Sequence, residues 1–212
     1  MRINNFRIQT LRGVCPIKDD TIKLTRVALK FSPGRVLDMG TGTGFIGLML
    51  SSTGFKVDAV DNSPVSIENA RINSKRNGLK INIFHSNLFQ SVKGMYDLII
   101  FNPPLNPDEG QNFQLFRSLI RNISFVENIA LPIGKNLFKD KRLDFLYRFI
   151  NESRKYLNYN GSIILSVSSE EVIELERRDD INSLQKHESI ERKGQIFYII
   201  SLTFKDKVEV KI

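Results

Sequence analysis

Val36-Leu37-Asp38-Met39-Gly40-Thr41-Gly42-Thr43-Gly44-Phe45-Ile46-Gly47 is the stretch around which the rest of the chain is arranged. A short apolar run ends at an acid, three glycines follow at alternate positions, and a helical pattern begins at Phe45. That order reads as strand, tight turn and helix start. Glycine lacks Cβ, so it takes positive φ and lets a ligand lie against bare backbone. A helix start adds N–H groups with no intrahelical partner and the positive end of the helix dipole. The stretch is therefore expected to be a nucleotide-cofactor loop. Gly42 to Gly47 also satisfies G-x-G-x-x-G, the dinucleotide pattern, so the loop alone leaves the cofactor open.

Outward from the turn, strand and helix patterns alternate. Arg35–Asp38 is predicted as strand one and Gly44–Ser52 as a helix. Lys56–Asp61 is strand two, and Asn62-Ser63-Pro64 sets a cap and a first-turn proline before a helix that runs to Arg76. Ile81–His85 is strand three. Asp97–Phe101 is strand four, apolar after its acid, as expected for a strand covered on both faces. Asp140–Leu157 reads as a helix, Asn160-Gly161 as a turn, Ile163–Val167 as strand five and Ser169–Arg178 as a helix. Ser183–Lys193 and Gln195–Lys205 flank Gly194 as an antiparallel hairpin. Upstream, Phe6–Leu11 is a short strand, and Asp20 or Thr21 can cap a helix over Thr21–Phe31. The alternation predicts an α/β fold with a doubly wound parallel sheet, in one domain over 1–212 with 1–31 as an N-terminal segment and helix. Residues 105–137 are long and poorly periodic, either a lid on the substrate side or a short helix (Gln111–Arg121) that caps the core.

Composition narrows the class. The chain has 212 residues, 41% hydrophobic and 25% charged, enough for one domain with a full core. No apolar run approaches the ~20 residues of a membrane span, and Met1–Phe6 has no signal-peptide character. A single Cys15 and the distant His85 and His187 predict neither a disulfide nor a metal centre. A cytoplasmic location is the matching expectation. The net charge of +8 is spread over pairs such as Lys75-Arg76, Lys141-Arg142 and Arg177-Arg178. It fits either an RNA or ribonucleoprotein partner or ordinary solvated helix faces.

Four groups at predicted strand ends can carry chemistry. Asp38 can orient the glycine turn, reach a cofactor ammonium, or bond local backbone. Asp61 lies about 20 residues past the glycines, where an acid accepts both ribose hydroxyls of a nucleotide; Asp58 competes for that role from inside the strand. Asn87 can bond an adenine edge with Leu88 packed on the base, or form a simple Asn turn. Asn102-Pro103-Pro104 is the sharpest signal. Two prolines remove two donors, leaving the Asn102 side-chain oxygen and the Pro103 carbonyl as acceptors for the two hydrogens of a planar –NH2. Held this way, the nitrogen lone pair is aimed along one line, and positioning supplies much of the rate of an in-line transfer. The alternative is a strand terminator.

The runs VLDMGTGTG, AVDNSP, SNLF and DLIIFNPPL resemble the class I S-adenosylmethionine (SAM) methyltransferases, and among them the HemK-like small-methyltransferase group with its N-P-P-Y motif. Pro16–Thr21 resembles the segment that precedes the first helix of that group. The resemblance covers about residues 13 to 104, resumes over Asp140–Val167, and leaves no room for the extra N-terminal helical domain of bacterial members. It implies SAM against Asp38, Gly40, Thr41, Gly42, Thr43 and Gly44, with Asp61 and the adjoining Asn62 at the ribose and Asn87 and Leu88 near adenine. It implies that Asn102 and Pro103 hold the acceptor amine, flanked by Pro104 and Leu105, and that no metal takes part. It also implies sheet order 3-2-1-4-5-7-6 with strand seven antiparallel, in agreement with the terminal hairpin.

Two departures stand out. Leu105 replaces the usual Tyr or Phe that stacks on the acceptor, so Phe113 or Phe116 substitutes or the acceptor is smaller or not planar. Asn87 replaces the usual acid. The expected activity is N-methylation of a glutamine amide in a translation factor or of an exocyclic amine in RNA, with a small activator subunit as a further partner. A small-molecule methyltransferase, an NAD-dependent oxidoreductase and a non-catalytic SAM-fold binding protein are the alternatives.

Overall fold

Runs of Val, Ile and Leu set between Gly, Pro and Asn punctuation build the sheet. The computed structural model describes residues 2–3, 6–104, 141–192 and 194–205. In chain order the elements are β1 (Arg2–Ile3), β2 (Phe6–Arg7), α1 (Asp19–Ala28), β3 (Arg35–Met39), α2 (Phe45–Ser51), β4 (Lys56–Asp61), α3 (Pro64–Arg76), β5 (Asn82–His85) and β6 (Tyr96–Phe101). Then come α4 over 141–153, β7 (Leu157–Ser168), α5 (Ser169–Glu176), β8 (Ile181–Arg192) and β9 (Gln195–Phe204). Two compact units contain them, residues 1–102 with 152–212, and residues 103–151. The expected 105–137 loop, with Leu105, Phe113 and Phe116, lies outside the described residues.

The main sheet has seven strands in the order β5-β4-β3-β6-β7-β9-β8. β3 to β7 pair in parallel, and β9 runs antiparallel to both β7 and β8. In the numbering of the predicted strands this is 3-2-1-4-5-7-6, the order the family resemblance implies. Leu98 and Ile100 of β6 join α1, α2 and α3 in one cluster with Val36, Ala59, Leu24 and Ala70. Ile99 and Phe101, pointing the other way, are also buried. Burial on both faces explains why β6 reads as an unbroken apolar run.

Two local expectations change. Asn160-Gly161 is not a turn between elements but lies inside β7. Pairing there jumps from Tyr96↔Leu157 to Leu98↔Ser162, so the extra residues of β7 bulge out of the ladder. Asn160 takes φ 61°, a conformation Asn tolerates. Second, Asp20 does not cap α1. The helix starts at Asp19 behind Lys18, which makes no side-chain cap, and Asp20 is inside the first turn.

A ladder of asparagines fastens the N-terminal segment to α3. Asn69, Asn73 and Asn77 stand on one face of α3 at four-residue spacing. The Arg7, Gln9 and Leu11 amides donate to the side-chain oxygens of Asn77, Asn73 and Asn69 at 2.8, 2.9 and 2.6 Å. The match is geometric: four helical residues rise about 6 Å and two extended residues about 6.6 Å. Asn73 also donates to the Gln9 carbonyl and to the Thr43 carbonyl of the glycine turn, both at 2.8 Å. Only two residues of the predicted Phe6–Leu11 strand pair as a strand, because these side chains satisfy the backbone that follows. Asn73→Ala should therefore lower unfolding free energy by about 2–4 kcal/mol, since buried backbone groups lose their partners. Asn77→Ala, at the exposed end, should cost about 1 kcal/mol or less; urea unfolding measures both.

Candidate active site

The carboxyl ends of β3, β4, β5 and β6 carry the residues singled out above. Gly40, Gly42 and Gly44 all have positive φ, at 67°, 53° and 79°. A Cβ at Gly40 would lie 3.2 Å from the Phe101 ring, and one at Gly44 3.0 Å from the Ala70 Cβ. Both conformation and space thus require glycine. Gly47 serves a different purpose. A Cβ there would lie 3.2 Å from Asp38 Oδ2 and from Val57 Cγ1, so Gly47 lets α2 pack close on β3 and β4.

The amides of the turn point mostly inward. Thr41 N donates to the Val60 carbonyl (2.9 Å) and Gly44 N to the Thr41 carbonyl (2.8 Å). Gly42 N donates to Asp61 Oδ2 at 3.0 Å, and Gly47 N to Asp38 Oδ2 at 3.1 Å. The helix that follows has only seven residues. The expected anion-binding helix start is therefore replaced by a turn whose donors hold its own shape.

Asp38 is fully buried at the end of β3. Its Oδ2 accepts from Thr41 Oγ1 at 2.6 Å and from Gly47 N. Its Oδ1 is buried with no hydrogen-bond partner among the described residues. Burial pushes the carboxyl up to about 7, against the hydrogen bonds from Thr41 and Gly47 and with a smaller upward push from the Asp61 charge. Such an oxygen suits a cationic group.

Asp61 is half-buried. Oδ1 accepts from Ser63 N at 2.9 Å, in an Asx-type turn, and Oδ2 from Gly42 N. Each oxygen keeps lone-pair capacity for a further donor such as a hydroxyl. Asp58, its competitor, is committed elsewhere: it accepts from Arg35, Tyr96 and Asn82 at 2.8, 2.8 and 2.9 Å. Asn62 is exposed, and its carbonyl lies 3.0 Å from His85 Nε2. Ser86 N bonds the Asp61 carbonyl at 3.0 Å, which sets the next loop beside Asp61. In that loop Asn87 is exposed and Leu88 half-buried. Leu88 has φ 48°, a strained value for a bulky side chain. Ser86 Oγ holds it there by donating to the Leu88 carbonyl at 2.6 Å and accepting from Ser91 N at 3.0 Å.

Asn102 follows β6 directly, after the Phe101 that packs on Gly40. Its Nδ2 donates to Asp20 Oδ2 at 2.8 Å, and Arg192 ion-pairs with the same oxygen. In the other unit the Pro103 carbonyl lies 3.5 Å from Arg142 Nη1, and that nitrogen also donates to the Pro104 carbonyl. Asp20 and Arg192 were missed as site residues. Asp20 carried only the signal of an acid at a helix start, and Arg192 carried none. Among the described residues no group of three or more His, Cys, Asp or Glu could hold a metal.

Comparison with known proteins gives the family. The methyltransferase small-domain family matches residues 20–124. A putative protein N5-glutamine methyltransferase of Methanocaldococcus jannaschii is 33% identical over 170 residues, covering 80% of this chain and 79% of that protein. The chain belongs to the methyltransferase small-domain family. A ribosomal RNA small subunit methyltransferase C of Salmonella newport is 38% identical over 150 residues, 64% of this chain but only 44% of that protein. In fold, the chain superposes with a TM-score of 0.65 and 16% identity on a Thermus thermophilus 16S rRNA N2 G1207 methyltransferase in complex with AdoMet and guanosine. That match covers 97% of this chain and 49% of that one.

The small-domain methyltransferases use SAM, and the residues here fit it. The orphaned Asp38 Oδ1 suits an ammonium, and the Asp61 oxygens suit a ribose diol. The glycine spacing alone does not separate SAM from NAD, since turn shape and helix packing use glycine in both; the family match sets the NAD-dependent oxidoreductase aside. No helix among the described residues is long and apolar enough to cross a membrane.

A raised folded-state value at Asp38 means that the fold binds this proton more tightly than the unfolded chain. Its stabilising contribution is present below pH 4 and is lost as pH rises through 7. A cation beside Oδ1 favours the ionised form. SAM affinity measured by calorimetry should therefore rise by up to about tenfold per pH unit between pH 5 and 7 and then level off. Asp38→Asn should flatten this dependence.

Proposed function

We propose that this SAM-dependent methyltransferase methylates a planar nitrogen, with the side-chain amide of a glutamine in a translation protein as acceptor. The observation that carries it is the Asn102-Pro103-Pro104 turn, which directly follows β6 next to the glycine turn. Asn102 Oδ1 and the Pro103 carbonyl accept the two N–H groups of the acceptor. This weakens conjugation of the nitrogen lone pair and directs it along the line of attack. SAM would carry its methyl group on a cationic sulfur; on transfer to the acceptor nitrogen the sulfur would leave as a neutral thioether and the nitrogen would release one of its two protons to solvent. Asp38 holds the charged end of the donor, and Asp61 fixes its ribose. Pro103 is buried, and Asn87 and Leu88 line the adenine side.

Coverage favours the amide acceptor. The glutamine methyltransferase relative is matched over 79% of its length, the rRNA methyltransferase over 44%. The distribution of charge points the same way. An open groove of about 480 Å³ is lined by Arg71, Lys75 and Lys80. It lies at the carboxyl end of α3 and the amino end of β5, opposite the strand ends that carry the site. An exocyclic amine of an RNA base is the second reading, favoured by the net charge of +8 and the rRNA methyltransferase relatives.

Labelled SAM offered with separated translation factors, ribosomal RNA and metabolites should mark a glutamine amide in a protein. Label confined to RNA selects the second reading, and label confined to metabolites overturns both. Asn102→Ala should keep SAM affinity within about twofold while transfer falls by at least about 100-fold. Full activity in that variant removes Asn102 from the role given it here.

A further inference from the structure

An asparagine amide is nearly symmetric in shape and opposite in chemistry at its two ends. If Asn102 presents Oδ1 to an acceptor –NH2, it offers a hydrogen bond. Turned over, it presents a second –NH2 and offers none. The N-P-P turn does not choose between these states, since backbone and χ1 are common to both.

Asp20 and Arg192 supply the choice. Asp20 is 4% exposed and faces Asn102 with Oδ2 at 2.8 Å from Nδ2. An ionised carboxylate accepts hydrogen bonds and donates none. Only the –NH2 end of Asn102 can therefore turn toward it, and Oδ1 is left pointing away. Arg192 ion-pairs with the same Oδ2, and the Thr21 hydroxyl lies 3.4 Å from Oδ1. Burial opposes ionisation of Asp20, but hydrogen bonds from Arg192 and Asn102 and the Arg192 charge outweigh it and hold the carboxyl below its usual range.

The neighbouring acid shows what a purely helical role looks like. Asp19 keeps a side chain 62% exposed and pairs with Lys23 one turn on, at 3.0 Å. That is the ordinary use of an acid in a first turn. Asp20, one residue later, is buried and turned into the fold toward a residue 82 positions away.

We infer that Asp20, held in place by Arg192 from the terminal hairpin, is a positioning residue that locks the side-chain amide of Asn102 with Oδ1 toward the methyl acceptor. The inference rests on the role given to Asn102 above, and it adds the device that sets which end of that side chain is used. It also gives the β8–β9 hairpin a share in the site, since Arg192 is the last residue of β8.

The test has a readout that needs no acceptor. In the full chain labelled with ¹⁵N-asparagine, the side-chain –NH2 of Asn102 is assigned by its loss in Asn102→Ala. In the wild type its protons should exchange with water at least about tenfold more slowly than those of exposed asparagines. Asp20→Ala should abolish this protection. Asp20→Asn retains an oxygen that accepts from both donors, so it should restore most of it.

On the acceptor found with labelled SAM, Asp20→Ala should lower kcat by at least about tenfold. KM for the acceptor and SAM affinity should stay within about twofold. Asp20→Asn should recover most of the rate, and Arg192→Met should reproduce part of the loss. An unprotected Asn102 amide in the folded wild type overturns the inference, as does an Asp20→Ala protein with unchanged SAM affinity and unchanged kcat. If no acceptor of any class is methylated, the functional reading fails, and the exchange measurement still decides whether Asp20 locks Asn102.

Discussion

A turn with glycine at every second position has few side chains with which to hold its own shape. Here two aspartates do the holding. Asp38 clamps the turn from behind through Thr41 and Gly47, and Asp61 takes the Gly42 amide from the side. Glycine gives the turn its positive φ values at an entropic cost of roughly 0.5–1 kcal/mol per residue relative to alanine. The carboxylates offset that cost only by placing two negative charges around one short loop. Burial, and then the Asp61 charge, make ionisation of Asp38 difficult. A cationic ligand with a hydroxyl-bearing ribose relieves both strains together, whereas a pyrophosphate would worsen them. This is why a loop that satisfies G-x-G-x-x-G fits SAM.

The clamp is tied to distant parts of the chain. Asn73 donates to the Thr43 carbonyl while gripping Gln9. The N-terminal segment and the cofactor turn therefore share one side chain of α3. Ala70, one turn before Asn73, sets the clearance that forbids a Cβ at Gly44. A fully buried face of α3 that carries Asn69 and Asn73 among apolar neighbours makes sense only because every polar atom has backbone to bond.

Much of this fold was legible, and the failures have physical causes. The apolar runs of β3, β4 and β6 and the Gly194 hairpin follow from residue patterns that act locally. Asn160-Gly161 misled because the dipeptide specifies a left-handed backbone, which a bulge inside a long strand uses as readily as a turn between strands. The asparagines at 69, 73 and 77 were visible at helical spacing. Their purpose depends on an extended segment that runs alongside α3, and no local pattern announces that pairing.

The site divides along the same line. The places of Gly40–Gly44, Asp61 and Asn102 were legible because each lies at a strand end that backbone topology sets. Asp20 read as a helix cap because local rules reward an acid at that position, and Arg192 carried no local signal. Residues 20, 102 and 192 belong to a helix start, a strand end and a hairpin far apart in the chain. What joins them is one shared carboxylate oxygen. Selection of a nitrogen by two acceptor oxygens requires that the amide of Asn102 be prevented from turning over, and a motif of Asn and Pro carries no information about that rotation. The orientation must come from a group that can only accept. A buried carboxylate with its own cation meets that requirement, and it is supplied by the tertiary fold.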